Sequence, residues 1–211
     1  MGDSNTASGA RFWAKTDGSE YHPLLGHSAD VAAVFAQLVG EGSSGRRRLA
    51  RASGVEEVGQ LAQTLVYLAA LHDLGKVNHG FQDKAGPWCN PDRAERWQVS
   101  GHVTPVLGTF TADREFKRLV AELLAPLPLD QPTALDAFLT AICHHGQPLD
   151  GPRRSLHPSR WRAIWAPDQG SGRDPIAHIR RLADFASAVS GIGEGLGAQT
   201  VPWNEDVSNL F

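Results

Sequence analysis

The chain is predicted to be all-α, a bundle of helices joined by long irregular loops with a metal site in the helix core. Three observations predict this. Apolar residues recur at three- and four-residue spacing nearly everywhere. No strand pattern of any length is present. Several histidines fall on the inward faces of the helices so defined. With 211 residues, 41% of them hydrophobic, the material suffices for one core, and residues 1–211 are expected to form a single domain without internal repeats.

The first helix is expected in GHSADVAAVFAQLVG, with His27, Val31, Val34 and Leu38 on one face and Phe35 alongside. In VEEVGQLAQTLVYLAALHDLG, Val58, Leu61, Leu65, Leu68 and His72 follow the same rule, and Gly75 stands where a helix would stop. GHVTPVLGTF is a short candidate that tolerates Pro105 only in its first turn. ADREFKRLVAELLA places Phe116, Leu119, Val120 and Leu123 on one stripe before the Pro126–Pro132 stretch breaks it. TALDAFLTAICHHG carries Leu135, Phe138, Leu139, Ile142 and His145 at helical spacing. DPIAHIRRLADFASAVSG starts on Pro175 and stops near Gly191. Residues 85–100 and 146–172 read as long loops containing Trp88, Trp97, Trp161 and Trp165. Such aromatics either anchor loops or stack on the bases of a single strand.

Composition narrows the function. No run approaches the roughly 18 apolar residues of a membrane span, and the N-terminus lacks the pattern of a secretory signal. Cys89 and Cys143 make neither a disulfide framework nor a CxxC pair, so a cytoplasmic protein is the natural reading. A net charge of −3 argues against gripping nucleic acid by bulk electrostatics. The arginine clusters at Arg46–Arg48, Arg153–Arg154, Arg160/Arg162 and Arg180–Arg181 read as solvated surface charges unless they converge on a cleft. No GxxxxGK[ST] loop is present, which excludes a motor of that kind.

The histidines carry the chemistry. His27, His72 and His145 fall on the apolar faces of three different helices, His144 is one step off, and His102 lies between. A buried imidazole needs a hydrogen bond or a metal. Several on inward faces, beside a carboxylate, are how helical proteins build metal sites. Imidazole and carboxylate together suit Fe, Mn, Ni, Co or Zn better than Mg or Ca. Asp73 has two oxygens and can bridge two ions about 3.5–4 Å apart, a standard device for hydrolysing phosphate esters. Lys76, one turn later, either steadies a phosphate oxygen or complements the helix end. His22 is expected near the mouth of such a site, and His79, His157 and His178 at the surface or in loops.

HSADVAAV, ALHDLGK, SGHVTPV and AICHHG, in this order, resemble the HD nuclease domain of the type I CRISPR-associated helicase–nuclease, especially its I-E branch, within the HD phosphohydrolase superfamily. The HD pair alone is weakly diagnostic. HDxGK followed by GFQ, a lone His and then HHG is much more specific. The resemblance runs from about Tyr21 to the end of the chain. It implies cleavage of single-stranded DNA at a centre of up to two divalent metal ions, with Fe, Mn, Ni or Co favoured over Mg. It also implies a helicase domain or subunit and an RNA-guided surveillance complex as partners. His27, His72 and a bridging Asp73 would hold one ion, His102, His144 and His145 the other, and Lys76 matches the family lysine. The family adds a final aspartate from a late helix, which would begin where this chain stops at Phe211. Asp184, in LADF, is an internal substitute, although its position fits an earlier helix better. Two alternatives stay open: a phosphohydrolase acting on nucleotides or cyclic nucleotides, and a metal-poor docking module.

Overall fold

The computed structural model describes residues 12–17, 20–85, 97, 101–144 and 158–192. A two-stranded antiparallel hairpin, β1 (Trp13–Asp17) and β2 (Glu20–Pro23), leads into α1 (Leu24–Leu38) and α2 (Ser44–Ser53). The central helix α3 (Gly59–Leu71) passes into a 3-10 turn at Leu74–Val77 and the single-turn α4 (His79–Gln82). There follow α5 (Val103–Ala112), α6 (Arg114–Leu124), α7 (Gln131–Ile142), α8 (Pro158–Ala163) and α9 (Pro175–Ser190). None of the described helices is long and apolar enough to cross a membrane.

The bundle is organised around α3. Every residue from Leu65 to Leu71 is buried, so this helix is apolar all round and must be surrounded. The helices α1 and α9 flank it and α7 packs on a further side. Each buried Leu here contributes about 1.5–3 kcal/mol relative to exposure. Local chemistry sets the helix ends. Asp113, Asp130 and Asp174 accept backbone N–H groups in the first turns of α6, α7 and α9. Pro175 opens α9, and Gly191, at φ 68°, closes it in the left-handed conformation that glycine adopts without strain.

Several expectations need correction. Val34 and Leu38 are each 55% exposed, and α1 instead buries Leu24, His27, Ser28 and Ala32. The buried face is therefore rotated from the predicted one and shares His27 with it. The 146–172 segment is not all loop, because α8 lies within it and buries Trp161 against Gly108. A Cβ on Gly108 would stand 2.4 Å from the Trp161 ring. Trp97 is also buried and donates to Asp83, whose other oxygen pairs with buried Arg173. The described loop tryptophans are therefore anchors; Trp88 lies outside the described residues.

The hairpin, too, departs from the expected absence of strands. The side chain of Gln82 ties it to the bundle. The Gln82 Oε1 accepts from Trp13 N at 3.1 Å, and Nε2 donates to Trp13 O at 2.9 Å and Lys76 O at 2.7 Å. Replacing Gln82 by Ala strands these buried groups. It is expected to lower unfolding stability by about 2–4 kcal/mol, read from urea denaturation.

Two further histidines are not surface residues. His79 is buried, bonded to Ala166 O at 2.8 Å and stacked on Trp97. His178 packs on Phe12, and burial, with a smaller contribution from Arg181, lowers its pKa from 6.5 to about 4. Between these values the unfolded chain binds a proton that the folded chain does not. Stability therefore falls as pH drops through that window. His178→Leu is expected to flatten this slope in urea midpoints measured from pH 7 to 4. Some slope will remain from His79, whose pKa burial also lowers. His157 lies outside the described residues.

Candidate metal centre

Adjacent helical residues diverge by about 100°, so an HD pair inside a helix could not address one point. In this chain α3 ends at Leu71, and the backbone tightens into the 3-10 turn, with Lys76 N bonded to Asp73 O at 2.8 Å. The helix thus stops before Gly75 rather than at it. This turn brings His72 Nε2 to 3.1 Å from Asp73 Oδ2. His27 Nε2, from α1, lies 3.0 Å from the same oxygen, and Lys76 Nζ 2.6 Å. The other oxygen, Oδ1, faces His102 Nε2 at 3.4 Å and His144 Nε2 at 3.9 Å. Two groups able to hold a metal therefore share Asp73: His27–His72–Asp73 and Asp73–His102–His144.

The protonation logic of this cluster fits a cation between the rings. His72 Nδ1 is 2.7 Å from Ala69 O and His144 Nδ1 3.0 Å from Ala141 O. A carbonyl only accepts, so both Nδ1 atoms carry the proton. In the neutral rings the Nε2 lone pairs then point toward the Asp73 carboxylate, acceptor against acceptor. An imidazolium or an interposed cation resolves this, and the carbonyl tether is the arrangement that orients metal-bound histidines. Asp73 Oδ1 is buried and makes no hydrogen bond. Burial pushes the Asp73 carboxyl up, but the hydrogen bonds and charges of His72 and Lys76 outweigh it and hold the group far below the usual carboxylate range. Burial likewise keeps His27 below its ordinary pKa, opposed by Asp73, which favours the neutral ring that a metal requires.

Close packing sets the distance between the two groups. A Cβ on Gly75 would lie 2.1 Å from His102 O and 2.8 Å from Val106 Cγ2. Only glycine lets the HD turn touch the start of α5. Asn78 clips the same junction, donating to Gly75 O at 2.6 Å and Gly101 O at 3.0 Å. The roles of Gly75, Asn78 and Gln82 in placing the turn were not read from the sequence, although the HDxGKxNxGFQ spacing contains all three.

His22 stands beside the cluster, its ring 5.9 Å from that of His27, and pairs with Asp30 at 3.2 Å. Asp184 is exposed on α9 and belongs to neither ligand group. His145 lies outside the described residues. Among the described residues, Arg118, Arg162 and Arg180 border a hollow of about 430 Å³. Asp113, Glu115 and Glu122 border it as well. Arg162 is bonded to Asp113 at 2.6 Å, so the hollow is charge-balanced and does not make a phosphate track.

An all-helical core with a His–Asp pair at the end of its central helix, and imidazoles converging on that carboxylate from three other segments, defines a metal-dependent hydrolase domain of the HD class. Residues 13–209 match the family described as Cas3, HD domain, and the chain belongs to that family. It is 37% identical over 205 residues to the CRISPR-associated endonuclease/helicase Cas3 of Thermus thermophilus, an overlap of 84% of this chain and 22% of that protein. The chain thus spans less than a quarter of that relative's length. No solved structure matches it.

Proposed function

We propose that this chain is a metal-dependent nuclease that hydrolyses phosphodiester bonds of single-stranded DNA in type I CRISPR interference. The observation that carries the reading is the sharing of one buried carboxylate by two imidazole-rich ligand groups. His27, His72 and Asp73 Oδ2 would hold one divalent cation. His102, His144 and Asp73 Oδ1 would hold the other, with His145 added by the family resemblance. When bound, such a pair supplies water activation and neutralises charge on the attacking and leaving oxygens. Four imidazoles to one carboxylate favour Fe, Mn, Ni or Co over Mg.

Lys76 acts on Asp73 in this scheme. Its ammonium, 2.6 Å from Oδ2, keeps the carboxylate ionised and aimed, and leaves both oxygens anionic toward the ligand groups. His72 and His144 present Nε2 because Ala69 and Ala141 hold the opposite nitrogen. A helicase domain or subunit would feed the strand, and an RNA-guided surveillance complex would select it; the helicase half of the relative's name supports the first. The cytoplasm is the expected site of action.

The test loads the protein with Mn, Ni, Co or Fe, counts bound ions, and offers circular single-stranded DNA alongside nucleotide and cyclic nucleotide phosphoesters. Nicking of the circle is expected. Turnover of the small esters alone would replace the reading with a nucleotide phosphohydrolase. No turnover, with less than one ion bound per chain, would leave a docking module.

A further inference from the structure

Resting on the nuclease reading, we propose that Lys15 and Lys84 are substrate-positioning residues that contact backbone phosphates beside the metal centre. Lys76 is committed to Asp73, so the substrate's charge must be met elsewhere. Two exposed lysines, Lys15 and Lys84, stand near the centre.

Lys15 lies opposite His22 in the hairpin register. Residues paired across antiparallel strands share a face of the sheet. The His22 ring is edge-on to that of His27, so this face lies at the His27 end of the centre.

Lys84 follows α4. Its Nζ stands 4.8 Å from the centroid of the Phe81 ring, and that ring is edge-on to His102 at 5.9 Å. Lys76 Nζ lies 5.7 Å from the same ring centroid. Burial, and then repulsion from Lys76, lower the Lys84 pKa. An anion beside Lys84 would relieve that repulsion.

Neither Lys15 nor Lys84 is paired with a carboxylate among the described residues. One neighbours the His27 group and the other the His102 group, and the two groups share Asp73. An anion that satisfies both must carry charge at more than one point. A nucleic acid strand does, and a single phosphate monoester does not. The sequence hides this arrangement because the two lysines are 69 positions apart, one on a hairpin and the other beyond the HD turn.

The experiment compares the metal-loaded full chain with Lys15→Ala, Lys84→Ala and the double variant. Lys117→Ala, at an exposed position of α6, is the control. Substrates are an oligo(dT) strand and bis(p-nitrophenyl) phosphate, which offers no flanking phosphates. Each single variant is expected to raise KM for the strand about tenfold and to reduce the log–log salt dependence of kcat/KM by about 0.7. Turnover of the small diester and metal content should stay at wild-type level, and Lys→Arg at either position should restore strand binding. An unchanged salt slope would overturn the proposal. So would equal losses on both substrates, which would mark a structural effect. Failure of the wild-type protein to cleave the strand would remove the nuclease reading itself, and the proposal with it.

Discussion

Asp73→Asn is expected to lose DNA cleavage by about a thousandfold or more, together with most of its bound metal. Both ligand groups meet at this one carboxylate, so a neutral amide weakens both ions at once. Metal stabilisation of transition-state charge contributes several kcal/mol, and each 1.36 kcal/mol is a factor of ten in rate. The substitution has a second effect. It leaves the Lys76 ammonium, 8% exposed, without its counter-charge, and breaking one side of a buried pair costs about 3–5 kcal/mol. The companion variant Asp73→Asn/Lys76→Met removes that charge. It is expected to regain thermal stability while remaining inactive. Elemental analysis and strand cleavage measured on both proteins separate loss of the site from loss of the fold. Two ions per chain and near-normal cleavage in either variant would be incompatible with a shared carboxylate.

Gly75→Ala is expected to be the most damaging change outside the ligands. The added methyl would sit 2.1 Å from His102 O, a contact no rotamer can relieve because backbone meets backbone. Either the HD turn or the start of α5 must move away, and Val106 on the same face blocks the easy direction. Overpacking of this kind costs about 1–3 kcal/mol. A displacement of about 1 Å at a reacting centre costs about a hundredfold in rate. Cleavage should therefore fall much further than the melting temperature suggests. One of the two ions, the one nearer His102, should be lost first in a chelator titration. A variant with wild-type activity would show that the junction is soft and that Gly75 has no positioning role.

Much of the scaffold was legible because its signals are local. Pro175 and Gly191 bracket α9 as first-turn and stop residues do, and Phe116, Leu119, Val120 and Leu123 are all buried as their spacing requires. The face of α1 was only partly legible, because His27 is buried as its spacing suggests while Val34 and Leu38 are exposed and Ser28 and Ala32 are buried. The hairpin was missed because its strands are short and WAKTD does not alternate, although the Gly18-Ser19 between them is a recognised two-residue turn signal. In the centre, His27, His72, Asp73, His102 and His144 were nameable from residue type and motif order. Their convergence was not, since it depends on contacts such as Gly75 against His102 that join distant segments. His79 and His178 were misplaced for the same reason. The partners that bury them, Trp97 and Phe12, lie 18 positions or more away.

The apolar packing around α3 has a consequence for how the protein would handle loss of its ions. Leu61, Leu65, Leu68 and Leu71 are buried against neighbouring helices without help from any ligand atom, and the carbonyls of Ala69 and Ala141 hold two of the rings from behind. In small zinc modules chelation and unfolding are one event. In this chain the two are expected to be separable: treatment with a chelator should leave the helices standing, and the circular dichroism of the stripped protein should match that of metal-loaded protein.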